Sequence, residues 1–148
     1  MEAPSTRKDP KESTMSVLSS PSFLRAVVWF DAATGVLLGA LHLALTETLA
    51  EWLGLPVGLV SASGLALLAY AVLAMAIASQ RNTPRSLLWL LIVGNAAWAL
   101  ASLALLLSSA IAPSVWGQAY LVVHVVSVGL LAELQWFGMR RLPLPAMA

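Results

Sequence analysis

Cysteine is missing from this chain altogether, which removes disulfides, thiolate metal sites, iron–sulfur clusters and thiol nucleophiles from consideration. Charge is nearly as scarce: Asp, Glu, Lys and Arg make up 10% of the 148 residues, against roughly a quarter in an ordinary water-soluble domain. A net charge of +1 and a pI near 8.2 give no field strong enough to gather nucleic acid. The basic residues are spread over termini and turns instead of forming a patch. Histidine occurs twice, too few for a zinc ion that wants third and fourth ligands at the same height.

What the chain has in abundance is apolar surface, with 59% hydrophobic residues and a mean hydropathy of +0.85. Such a composition calls for lipid as the solvent. Setting aside a polar head of about twenty residues leaves room for four crossings at ~20 residues each and none for a fifth. The head, residues 1–20, mixes Arg7, Lys8, Asp9, Lys11 and Glu12 with Pro4 and Pro10 and shows no apolar period, so it is expected to be a disordered tail. The apolar run begins only at Phe23 and holds Arg25 and Asp31, which does not suit a cleaved leader.

The crossings are predicted at about 22–45, 57–79, 86–109 and 114–138, within a transmembrane domain of residues 21–141 and ahead of a short tail over 142–148. Ser20 and Pro21 open the first as N-cap and first-turn proline. Between Thr48 and Leu53 a short interfacial helix is expected, closed by Gly54 and Pro56. Pro113 breaks the chain before the last crossing. Of the six tryptophans, Trp52 and Trp116 fit an outer aromatic belt and Trp29, Trp89 and Trp136 an inner one, leaving Trp98 deep.

Threaded this way, all eight Lys and Arg residues fall on one side: Arg7, Lys8, Lys11 and Arg25 at the first crossing, Arg81 and Arg85 at the middle hairpin, Arg140 and Arg141 after the fourth. The other turns hold Glu47 and Glu51. The positive-inside tendency therefore places both termini in the cytoplasm. Connections this short make sequential helices neighbours, so an all-α, up-down-up-down four-helix bundle is expected, with the first and fourth crossings in contact.

Chemistry, if there is any, must come from the polar residues inside the spans: Asp31, His42, Asn95, His124, Glu133 and Gln135. A charge at the bilayer centre costs about 2.5–3.5 kcal/mol on insertion scales, so these groups turn inward, find partners or lose their charge. In the first crossing Asp31, Gly35, Gly39 and His42 follow one another at four, four and three residues, a narrow arc on one face. Gly35 and Gly39 form a GxxxG pair, and Gly64, Ala71, Ala74 and Ala78 make a matching small-residue stripe on the second crossing.

Heights above the basic residues at the cytoplasmic edge sort the polar groups into two layers. At ~1.5 Å per residue Asp31 and Glu133 lie ~9–10 Å up, Asn95 ~15 Å, and His42 and His124 ~25 Å. Asp31, Asn95 and Glu133 are thus candidates for an inner proton or cation site, and His42 and His124 for an outer pair. Glu133 and His124 stand half a turn out of phase, so only one of them can face the first crossing; His124, on the face of Ser127, Leu131 and Gln135, is the better inward residue.

Two chemical uses compete with plain structural ones. His42 and His124 have the relative height of a bis-histidine b-type haem pair, the alternative being two histidines bonded to Gln118, Ser127 or backbone carbonyls. Asp31 suits a carboxylate at which protonation and cation binding compete, the alternative being a pair with Arg25, Arg81 or Arg85, or a bond to Asn95. In length and helix count the chain resembles the small multidrug resistance family, whose first-helix acidic residue implies that coupling task for Asp31.

The segments Val93-Gly94-Asn95-Ala96-Ala97-Trp98, Glu133-Leu134-Gln135-Trp136-Phe137-Gly138-Met139-Arg140-Arg141 and Leu53-Gly54-Leu55-Pro56 resemble those of small uncharacterised bacterial four-helix integral membrane proteins. That likeness covers nearly the whole chain after Pro21 and implies a bacterial inner-membrane location. No reaction signature is present; the expected protein is an accessory, assembly or self-associating membrane component that uses the small-residue stripes and has the bilayer, a second copy or another membrane protein for partners.

Overall fold

The computed structural model describes residues 20–80 and 84–141. The tails expected over 1–20 and 142–148, save Ser20, and Arg81 of the middle hairpin lie outside the described residues. Among those described there are five helices and no strand: α1 (Pro21–Ala44), α2 (Thr46–Leu53), α3 (Val57–Ala78), α4 (Arg85–Leu107) and α5 (Val115–Arg140). All but α2 are long and apolar enough to cross a membrane. These four spans match the predicted crossings to within two residues at each end, which is the precision that caps and prolines give.

Their ends are set locally. Ser20 Oγ accepts the Phe23 N–H at 3.1 Å with Pro21 in the first turn, and Ser114 Oγ does the same for Gly117 N–H at 3.1 Å at the start of α5. Gly54, at φ 64°, closes α2: its N–H reaches Glu51 O and the Leu55 N–H reaches Ala50 O, at 3.3 and 3.0 Å. The side chain of Arg25 donates from Nε to Ala78 O at 2.7 Å and so caps the last turn of α3.

The spans form two antiparallel hairpins, α1 on α3 and α4 on α5, which meet where α1 crosses α5. Gly35, Gly39 and Gly64 make the first hairpin close. A Cβ on Gly35 would touch that of Ala71 at 3.1 Å, one on Gly39 would come within 2.8 Å of the Leu68 side chain, and one on Gly64 within 2.9 Å of the His42 Cβ. The small-residue stripes therefore face each other inside one chain. Backbone approach within the hairpin uses them. Spans α3 and α4 pack less extensively: the Tyr70 ring lies over Gly94, where a Cβ would stand 3.0 Å away, and Ile77 and Ala78 share an apolar cluster with Leu88, Leu91 and Ile92.

At the opposite end from Arg25, α2 folds back on the start of α5. The Leu53 carbonyl accepts the Ser114 N–H at 3.0 Å and the Trp52 carbonyl accepts Ser114 Oγ at 2.6 Å, while a Cβ on Gly117 would strike the Leu53 carbonyl oxygen. The outer surface is inverted relative to a protein in water. Leu107, Val115, Trp116 and Phe30 are exposed, whereas Asp31, His42, Asn95, Ser102, His124 and Gln135 are buried. Two apolar clusters flank the polar groups, one around Leu24, Val28, Ile77 and Leu91, the other around Ala50, Leu53, Leu55 and Val60.

Candidate functional site

The inner polar layer is a single hydrogen-bonded centre to which each span contributes one side chain. Asp31 Oδ2 accepts from Tyr70 Oη at 2.8 Å, from Asn95 Nδ2 at 2.8 Å and from Gln135 Nε2 at 2.6 Å. The second Asn95 amide hydrogen goes to Gln135 Oε1 at 3.2 Å, closing a ring of three side chains, and the Tyr70 hydroxyl also reaches Leu91 O at 3.3 Å. Asp31 acts as acceptor throughout. All three bonds fall on Oδ2, which leaves Oδ1 as the oxygen for a proton or a cation. Together they offset part of the cost of burying this side chain at bilayer depth. That is why Asp31 keeps its place while Arg25 is spent on the α3 terminus.

The structure brings Asp31 and Asn95 together as the sequence suggests and leaves Glu133 out. Glu133 is exposed on the far face of α5, and Gln135, which is 0% exposed, occupies the position assigned to it. Two residues along a helix turn the side chain through about 200°, so only one of the two can point at α1. An amide also suits the site better than a second carboxylate, because it supplies a donor to Asp31 instead of a like charge.

The outer layer places His42 of α1 and His124 of α5 at the same height, as expected, but joined through a third residue. The Tyr120 hydroxyl lies 2.7 Å from His42 Nε2 and 3.3 Å from His124 Nε2. Each ring is steadied from behind by a carbonyl four residues back, His42 Nδ1 on Leu38 O at 2.6 Å and His124 Nδ1 on Tyr120 O at 3.2 Å. Gln118 bonds instead to Pro113 O, and Ser127 to Val123 O and His124 O. A haem needs two imidazole nitrogens aimed at one iron from opposite sides. Here both Nε2 atoms turn on to one phenol oxygen, and the Tyr120 ring centroid is 5.8 Å from that of His42 and 4.2 Å from that of His124.

Two cavities adjoin these layers, and the larger borders both. The larger, about 400 Å³, runs between the hairpins and is lined by Phe30, Asp31, Tyr70, Asn95, Trp98 and His124 among others. The smaller, about 160 Å³, is bordered by His42, Ser63, Trp98, Ser102, Tyr120 and His124. Trp98 and His124 belong to both, and the Trp98 indole N–H is buried with no acceptor among the described residues. An unpaired buried donor costs about 1–3 kcal/mol, which a ligand with an acceptor would recover.

Reading the sequence for charge missed Tyr70 and Tyr120, the chain's two tyrosines, because aromatic residues in a span read as apolar. The available signal was position: both lie inside predicted crossings, away from the ends where tyrosine ordinarily sits. No protein-family model, curated protein or solved structure matches the chain.

Proposed function

We propose that this small polytopic membrane protein is a proton-coupled carrier of a small organic cation, with Asp31 as the residue at which proton and cation exchange. The observation that supports this reading most is the position of Asp31, held from three spans at one oxygen while the residue lines a cavity of about 400 Å³. A carboxylate serving only to fasten helices needs no adjoining space. The aromatic walls from Phe30, Tyr70 and Trp98 suit a cation, which is attracted to ring faces, and the site's single acidic group offers one counter-charge. Alternating exposure would come from the two hairpins moving against each other, because α1 on α3 and α4 on α5 pack far more extensively than α3 on α4 or α1 on α5.

The location belongs to the same proposal: a bacterial inner membrane with both termini in the cytoplasm. Arg25, Arg85, Arg140 and Arg141 lie at one end of the bundle and Glu47 and Glu51 at the other, which supports that orientation. Self-association has less to stand on, since the stripes that would serve it are covered within the chain. The test is reconstitution into liposomes with an acidic interior and uptake of ethidium as probe. Wild-type protein is expected to accumulate the dye, Asp31→Asn to fall to the level of protein-free liposomes, and Glu133→Gln to behave as wild type. Uptake by Asp31→Asn equal to wild type would remove the proposal.

A further inference from the structure

The outer triad has one hydrogen too few when both histidines are neutral. A backbone carbonyl can only accept, so His42 and His124, each with Nδ1 on a carbonyl oxygen, both carry their hydrogen on Nδ1. Both bare Nε2 atoms then face the same Tyr120 hydroxyl, 2.7 and 3.3 Å away. A phenol has a single hydrogen. It satisfies one imidazole and leaves the lone pair of the other against the lone pairs of the phenol oxygen. One added proton repairs this: the unserved ring becomes imidazolium and donates Nε2–H to the Tyr120 oxygen, which still donates to the other ring. A second added proton would set two cations on either side of one oxygen and leave the phenol hydrogen with no acceptor.

We infer that His42, Tyr120 and His124 form a binding site for one proton, shared by the two imidazoles across the phenol hydroxyl. Within it the proton moves by a balanced exchange. The Nε2–H bond of His124 breaks as an O–H bond forms on Tyr120, and the former Tyr120 O–H bond breaks as an Nε2–H bond forms on His42. The charge passes from α5 to α1, and the reverse exchange returns it. No heavy atom has to travel, because both gaps are within or near hydrogen-bond length.

The surroundings leave the proton to these three residues. At the start of α2 the neighbouring polar group is Thr46, whose hydroxyl donates to the His42 carbonyl. On α2, Glu47 and Glu51 are exposed. Around the smaller cavity α3 presents Ser63, and α4 presents Trp98 and Ser102, none of which titrates. Deeper, Asp31 and Tyr70 face His124 across the larger cavity. His124 borders both spaces and His42 only the smaller, so the exchange carries charge sideways, from the edge of the Asp31 cavity to the α1 wall of the smaller one. The site stands on its own geometry whether or not Asp31 couples to transport.

The test is nitrogen NMR of the full chain, labelled at histidine and held in lipid nanodiscs, titrated between about pH 4 and 9. Both rings are expected to change together at one midpoint, each stopping near halfway between the neutral and imidazolium shifts, with Nδ1 protonated throughout. Tyr120→Phe keeps the ring but removes the bridge, and should separate the two titrations. Should that variant not fold, His42→Gln and His124→Gln each leave one imidazole, which should then titrate to completion. Full protonation of both wild-type rings, separate wild-type midpoints, or no change in either ring across the range would each overturn the inference.

Discussion

The two polar centres use similar numbers of side chains, yet they hold the protein differently. The inner one gathers a residue from every span and surrounds a carboxylate with donors from two amides and a phenol. The outer one ties α1 to α5 alone and is made of rings whose hydrogens can be rearranged without moving atoms. Amide hydrogens are fixed, so in the inner centre only the Asp31 carboxyl and the Tyr70 phenol can exchange a proton; imidazole and phenol hydrogens exchange, so in the outer centre every member can. Joined to all four spans instead of two, the inner centre is expected to carry more of the bundle's stability than the outer one.

Breaking the inner centre should cost the most. Asp31→Ala removes the acceptor shared by three donors, of which Tyr70 Oη keeps Leu91 O and the Asn95 and Gln135 amides each lose a buried bond, and is expected to lower unfolding free energy by about 2–4 kcal/mol, read by denaturation in mixed micelles. Gln135→Leu keeps the volume but removes both an acceptor for Asn95 and a donor to Asp31, for an expected loss of about 1–3 kcal/mol in the same measurement. At the outer centre, Tyr120→Phe should cost only about 0.6–1 kcal/mol, the ordinary worth of one interhelical hydrogen bond in lipid. A Tyr120→Phe loss as large as that of Asp31→Ala would erase the contrast. Smallest of all, Glu133→Gln on the exposed face of α5 should shift stability by less than about 0.5 kcal/mol. A large effect there would mean that Glu133, and not Gln135, carries the inner layer.

Much of this organisation was legible in the chain because membranes leave few options. Four apolar stretches bounded by Ser20-Pro21, Gly54-Pro56, Pro84 and Pro113-Ser114 could only be helices, and their ends follow from caps and breakers that act within a few residues. Spacing alone placed Asp31, Gly35, Gly39 and His42 on one inward face, and height alone set His42 level with His124.

What was not legible came from contacts between helices. Phase had already assigned Gln135 to the face of His124, but the search for charge favoured Glu133, and only the donor count around Asp31 shows why an amide belongs there. Tyr70 and Tyr120 became polar only once partners stood opposite their hydroxyls. Likewise the stripes of Gly35, Gly39 and Gly64 could serve a neighbouring chain or their own hairpin, and only the fold-back through α2 shows them facing each other as α3 returns alongside α1.

The central claim is that a proton and a cation compete for Asp31. It is tested most directly by counting protons released into weakly buffered solution when ethidium binds the purified protein in nanodiscs, followed with a pH indicator. The account predicts release on binding by wild-type protein that is lost in Asp31→Asn. Binding without release in the wild type, or undiminished release in Asp31→Asn, would contradict it.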